Sequence, residues 1–263
     1  MEKEKCRLCG NRLEFVFSHF VLEKYKVNYF LCDTCELLQT EQPYWLDEAY
    51  ASAIDAADTG IMLRNINLCK IASVIIYFLF EREGKFIDYG GGHGIYTRLM
   101  RDVGFDYYWF DKYAKNLFAR RNEAVKSKIY AGATAFEVFE HLDDPIKTME
   151  DIFSYLEKKT VLFTTQLYGD RVPDPAAWWY YAFNTGQHIS FYNIKTLHWI
   201  AENYNLNLWS NGCSMHCFTE EKISDWKFNI LNKFNKYIFS YVNRSMSSRT
   251  MSDHQILLKN TGM

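Results

Sequence analysis

The segment Lys85-Phe-Ile-Asp-Tyr-Gly-Gly-Gly-His-Gly94 constrains this chain more than any other. Its first half reads as a short strand with an acid at Asp88. Its second half holds Gly90, Gly91, Gly92 and Gly94, and a helical stretch from Ile95 to Val103 follows. A strand, a glycine turn and a helix open a βαβ unit, and glycines there allow a tight turn and close approach of a ligand to the helix N-terminus. The alternation continues. The pattern predicts a strand over Tyr107–Phe110 ending at Asp111, a helical stretch to about Lys126, a strand over Ala133–Val138, a helix over Pro145–Leu156 and a strand over Thr160–Leu167. After a long aromatic loop (168–190) it predicts a helix over Lys195–Tyr204, a strand near Leu206–Cys217, a helical insertion (221–245) and a last strand over Ser252–Leu258. The expected fold class is α/β, with a mostly parallel, doubly wound sheet.

Three ligand classes use a loop of this kind. A P-loop needs Gly-Lys followed by Ser or Thr, and Gly84-Lys85 is followed by Phe86. A dinucleotide fingerprint needs a sixth-position glycine, and counting from Gly90 that position is Ile95. What remains is D-x-G-x-G-x-G. Asp111, at the end of the next strand, is placed to accept hydrogen bonds from the hydroxyls of a ribose.

The cysteines define a second element. Cys6 and Cys9 form one C-x-x-C pair, and Cys32 and Cys35 another. Two such turns supply four thiolates for a closed tetrahedral zinc site, a structural one because no position stays open. The expected organisation is a zinc-binding module over 1–40, a helical segment over 41–82 that covers the active site, and a cofactor-binding domain over 83–263. Paired thiols fit a reducing compartment, and Met1-Glu-Lys-Glu-Lys lacks the apolar core of a secretion signal, so a cytoplasmic protein is expected. The apolar run Ile71–Phe80 is about half of what a bilayer span needs. A net charge of −2 (30 Lys+Arg against 32 Asp+Glu) provides no bulk field for nucleic acid.

Taken together, Asp88-x-Gly90-x-Gly92-x-Gly94, Asp111 and Phe136-Glu-Val-Phe-Glu-His141 resemble the successive motifs of class I S-adenosylmethionine-dependent methyltransferases, over roughly residues 46–260. The chain is similar to bacterial members with an N-terminal zinc ribbon, including those that act on sugars and polysaccharides. The resemblance implies a Rossmann-like sheet of seven strands, the last one antiparallel. It implies S-adenosylmethionine as cofactor, with Asp88, Gly90, Gly91, Gly92, Gly94 and Glu137 on its binding side and Asp111 at its ribose. The stretch Arg121–Tyr130 is short and charged where the family has its third strand, and no adenine contact is identifiable there.

Glu137-x-x-Glu140-His141 looks like a segment with which some O-methyltransferases hold a divalent cation together with a later histidine, here His188. The alternative is that these residues cap and orient the loop. His188 is also the candidate base for an O-methyl transfer, with Glu140 and His141 in support. Gln187 stands where related sugar C-methyltransferases have a Glu, which disfavours removal of a carbon-bound proton.

Trp178-Trp179-Tyr180-Tyr181 cannot all face one core by either period, so Trp178, Trp179 and Tyr181 are candidate acceptor-binding surfaces, as is Arg64 for an anionic group. The expected activity is O-methylation of a saccharide or sugar-containing metabolite. The alternatives are sugar C-methylation, or a zinc-ribbon binding protein with a degenerate cofactor fold.

Overall fold

A computed structural model describes residues 4–50, 58–222 and 224–259. Residues 1–3, 51–57, 223 and 260–263, which fall within the expected segments, lie outside the described residues. The N-terminal part is a hairpin, β1 (Leu13–Val21) with β2 (Tyr25–Cys32), followed by β3 (Leu38–Thr40), α1 (Leu46–Ala49) and the long α2 (Ile61–Leu79). Then come β4 (Lys85–Tyr89), α3 (Ile95–Val103), β5 (Asp106–Phe110), β6 (Gly132–Ala135), α4 (Pro145–Phe153) and β7 (Thr160–Thr164). The remainder is β8 (Ser190–Phe191), α5 (Ile194–Asn203), β9 (Asn207–Ser210), β10 (Met215–Thr219), α6 (Asp225–Ser245) and α7 (Thr250–Lys259).

Two sheets result: β1-β2-β3-β8, and a six-stranded sheet in the order β5-β4-β6-β7-β10-β9. In the larger one β4 runs parallel to β5 and β6, while β9 and β10 form an antiparallel hairpin. This is the mostly parallel α/β arrangement expected, except that the helical stretch expected to about Lys126 forms turns and bends instead, and with three corrections to the strands. The sheet has six strands among the described residues rather than seven. Where a further edge strand would lie beside β5, only a single bridge, Trp109 to Glu123, is made. The segment 112–129 runs as turns and bends, its six Lys and Arg all exposed. The single strand expected near 206–217 is the β9–β10 hairpin, turned at Gly212.

The third correction is the expected last strand, Ser252–Leu258, which lies inside helix α7. A buried ion pair decides it. Asp253 accepts from Arg101 Nε and Nη2, one edge of the guanidinium, at 2.7 Å each and from Arg98 at 2.8 Å. The helix α2 lies within the expected helical segment and extends ten residues before the apolar run that starts at Ile71. By length and composition it would reach across a membrane, and about a third of it is buried.

The chain divides into two compact units, each assembled from separate segments: Met1–Asp55, Phe136–Phe153 and Phe163–Glu220; and Ala56–Ala135, Ser154–Leu162 and Glu221–Met263. The first has an aromatic core. Tyr181 lies at its centre with ring centroids of Trp178, Phe183 and Phe191 at 4.9, 5.1 and 5.1 Å, and Phe17 stacks on Tyr29 at 4.5 Å. The second packs α2 against α3 and α6, with Phe80 touching Phe228.

Replacing Asp253 by Ala leaves the buried Arg101 with Asp106 and the Tyr107 carbonyl alone. The expected loss is about 3 kcal/mol, the low end for breaking a buried pair, read from urea unfolding. A second prediction concerns His216 on β10. Its Nε2–H donates to the Thr165 carbonyl and its Nδ1 accepts from Ser210, and burial pulls its pKa from 6.5 to about 4. Below pH 6.5 the unfolded chain takes up a proton that the folded chain refuses until about pH 4. Stability therefore falls as pH drops through that window, by up to about 1.4 kcal/mol per pH unit. In His216→Gln that part of the slope disappears from unfolding midpoints measured between pH 7 and 5.

Candidate functional site

The glycine loop lies in the second unit, and its shape follows from how β4 and β5 end side by side. Tyr89 is in register with Phe110, and the Phe110 carbonyl accepts from both Gly90 N–H and Gly91 N–H. The chain then turns back through Gly90, Gly92 and Gly94, all in the left-handed region (φ 74°, 52° and 85°). At Gly91 a Cβ would lie 2.7 Å from an Asp88 carboxylate oxygen and 2.8 Å from the Trp109 ring, so only glycine fits. At Gly92 a Cβ would project into open space, so the backbone there is open to a ligand from outside.

The two acids brace this loop. Asp88 is buried, accepts from Thr97 Oγ1 at 2.8 Å, and has its carboxyl pushed up to about 7 by that burial. Asp111 accepts from Gly92 N–H through Oδ2 and from the Tyr113 and Ala114 N–H groups through Oδ1. Oδ1 is therefore spent, and a ribose hydroxyl would meet the remaining acceptor capacity of Oδ2. Trp109, which sequence reasoning missed, donates its indole N–H to the Gly92 carbonyl at 2.8 Å. Its position in β5, directly beside Asp88, was the available signal.

The first unit holds the remaining candidates. Glu137 follows β6 with φ 54°, a costly conformation for this residue. Its N–H donates to Thr164 Oγ1, and that hydroxyl donates back to its carboxylate at 2.7 Å. The short 3₁₀ turn Phe139–His141 is tied to the segment before α5 at four points. The Glu140 carbonyl accepts from Ile189 N–H, the Leu142 carbonyl from Ser190, the Phe139 carbonyl from the Tyr192 hydroxyl, and His141 bonds the Gln187 carbonyl. Those bonds bring Glu140, His141 and His188 together, with one ligand atom of each within 4.8 Å of the others.

Both histidines are oriented by carbonyls. His141 Nδ1 faces Gln187 O at 3.0 Å and His188 Nδ1 faces Tyr180 O at 2.7 Å. A carbonyl can only accept, so each Nδ1 carries the proton and each Nε2 keeps a bare lone pair. Burial lowers the two pKa values to about 4 and about 3, so both rings are neutral near pH 7. Two neutral imidazoles and a carboxylate form a donor set that suits a divalent cation, with the carbonyls as the outer partners that fix each ring. Glu137 stays with Thr164 and is not brought into this group.

The four cysteines converge as their spacing predicts. Cys6 and Cys35 Sγ are 3.5 Å apart, Cys9 and Cys32 3.3 Å, and all four lie within 4.8 Å of one another as free thiols. A tetrahedral zinc with about 2.3 Å bonds sets its sulfurs roughly 3.8 Å apart, so the cluster matches. The hydrogen bond shared with Cys35 lowers the Cys6 thiol toward the thiolate that binds metal, while the same bond raises Cys35 and burial raises Cys9.

The acceptor-binding candidates separate. Trp179 is 76% exposed and Trp178 half-buried. Tyr181 is a core residue instead, its hydroxyl donating to the Pro173 carbonyl and its ring enclosed by other rings. Arg64 is held by Asp58 in a two-pronged ion pair at 2.6 and 3.1 Å.

A family model described as a methyltransferase domain matches residues 62–211. No curated protein matches the sequence. Among solved structures, the SAH-bound form of CalO1, a methyltransferase in calicheamicin biosynthesis, is similar with a TM-score of 0.47 at 11% identity, over 68% of this chain and 60% of that one. TnmH gives 0.49 at 14% identity over 68% and 62%. An O-methyltransferase family protein from Burkholderia thailandensis gives 0.43 at 14% identity over 68% of each chain. The chain thus spans about three fifths of the length of CalO1 and of TnmH.

Zinc should be measurable directly. Elemental analysis is expected to find zinc in the wild-type protein and none in Cys32→Ser, and the variant is expected to unfold at lower temperature because a structural metal couples to folding.

Proposed function

The chain belongs to the methyltransferase-domain family, and from that premise we propose that it transfers the methyl group of S-adenosylmethionine to a hydroxyl, with a saccharide or sugar-containing metabolite as the acceptor. The observation that carries the cofactor half is the turn after β4. Its glycines hold backbone conformations that other residues resist, Gly92 is open on its outer side, and Asp111 stands beside it with acceptor capacity on Oδ2. These residues fit a ligand with a ribose. The sulfonium arrives activated, so the protein's task is to orient the acceptor and handle one proton.

The acceptor half rests on Glu140, His141 and His188. In this reading His188 Nε2 takes the hydroxyl proton, or holds a cation together with His141 and Glu140. Burial weakens His188 as a proton acceptor, so its lone pair suits the second role better. A divalent cation bound there would lower the pKa of an acceptor hydroxyl. Carbon methylation is less well supported, because the Gln187 amide donates to the Ala49 carbonyl and carries no base. Trp178 and Trp179 offer the flat surfaces on which a sugar ring can rest. The free thiols at a zinc-ready cluster favour a cytoplasmic setting.

The test is thermal unfolding with S-adenosylhomocysteine, with NADH as control. At a hundredfold excess over Kd, linkage predicts about 2.7 kcal/mol of stabilisation, roughly 5–10 °C. Gly91→Ala should lose the shift, because its methyl group collides with Asp88 and Trp109. No shift in a folded, zinc-loaded wild-type sample would move the reading to a zinc-ribbon binding protein. Turnover of hydroxylated saccharides should then fall in His188→Ala with the cofactor shift retained.

A further inference from the structure

Helix α6 has two apolar sides. Phe228, Asn235 and Val242 are buried and recur every seven residues, the side turned to the rest of its unit. On the opposite side Trp226, Ile230, Phe234, Tyr237 and Tyr241 recur at spacings of four, four, three and four. At 3.6 residues per turn these five share one stripe. All five are exposed, from 44% at Phe234 to 81% at Tyr237. The stripe continues onto α2, where Phe78, itself exposed, stacks on Tyr241 at 6.3 Å. An apolar surface of this length is rare on a protein that meets only water.

The charges around it identify what it meets. α6 carries Lys227, Lys233, Lys236 and Arg244, all exposed, against the single acid Asp225. Lys227 and Arg244 flank the stripe on its two sides, and Lys233 reaches over the ring of Phe234 at 5.6 Å. The chain as a whole has a net charge of −2, so this helix is a local reversal of sign. A second copy of the chain is a poor occupant. Setting two such stripes together would oppose cation to cation with one acid per helix to offset them. An anionic lipid surface suits both features, because tryptophan and tyrosine settle at the headgroup boundary and lysine and arginine extend to the phosphates.

We propose that α6 is an interfacial helix by which this protein docks on anionic lipid surfaces, its Trp226–Tyr241 stripe entering the headgroup layer. The proposal goes beyond the methyltransferase reading and does not depend on it.

The experiment is co-sedimentation of the full chain with vesicles of phosphatidylcholine alone and of phosphatidylcholine mixed with phosphatidylglycerol. The wild-type protein should partition onto the mixed vesicles only, and rising salt should release it. Trp226→Ser/Tyr237→Ser and, separately, Lys233→Glu/Lys236→Glu should each lower the partition coefficient by roughly tenfold or more. These residues are exposed, and the melting temperature of each variant reports that the fold is kept. No binding to the mixed vesicles overturns the proposal. So does equal binding to both vesicle types, or a dimer in sedimentation velocity that the same substitutions dissolve. The S-adenosylhomocysteine shift, measured on the same samples, reports the methyltransferase reading separately: its absence leaves the lipid result standing.

Discussion

The hydrogen bond from Gly92 N–H to Asp111 joins the ends of two adjacent parallel strands, and the geometry of the glycine loop depends on it. β4 and β5 end in register, so the acid that closes β5 is next to the turn that leaves β4. That carboxylate collects three backbone N–H groups, and Trp109 holds the Gly92 carbonyl from the same strand. With donor and acceptor of Gly92 both fixed from outside, the turn can keep its left-handed conformations without the ligand present. Asp88 does related work beneath it. Buried and held by Thr97, it fills the space that a side chain at Gly91 would need.

The second group of residues is organised by carbonyl oxygens. Nothing in Glu140-His141 or in His188 dictates that these side chains meet. They meet because the 3₁₀ turn after β6 is laced to residues 187–192 by main-chain groups that have few other partners once buried. The same main chain selects the tautomer of each ring. Local backbone geometry therefore decides the chemistry available at Nε2, and two rings with ordinary intrinsic properties become matched donors.

Much of this was legible from residue order. The β4 turn, Asp111 and the cysteine pairs are local signals that need only a few neighbouring residues, and the turn, the strand-end acid and the thiol cluster are each present in the fold. The misses were cases in which distant partners outvoted local pattern. Ser252–Leu258 has apolar content enough for a strand, yet Asp253 is drawn into a helix by two arginines some 150 positions earlier. Tyr181 looked like one of four aromatics competing for exposure, and its place at the middle of a ring cluster depends on Phe17, Tyr29 and Phe191 arriving from three other segments. The missing edge strand is the instructive middle case. The short, charged stretch Arg121–Tyr130 is visible in the sequence, but there it tells only of a missing adenine contact, and seven strands are still expected.

The sheet that carries the cysteines is finished late. β1, β2 and β3 are contiguous, but the partner of β3 is Ser190–Phe191, and Arg7 donates to the Ile189 carbonyl across the same gap in sequence. During synthesis the first three strands leave the ribosome long before their fourth neighbour exists. For that interval β3 is a bare edge, able to pair with the wrong chain. The four thiols are all present by residue 35, so a metal ion can close the hairpin region onto itself at once. A metal held by this cluster would then act as a placeholder in time, keeping the early strands in order until translation supplies the last one.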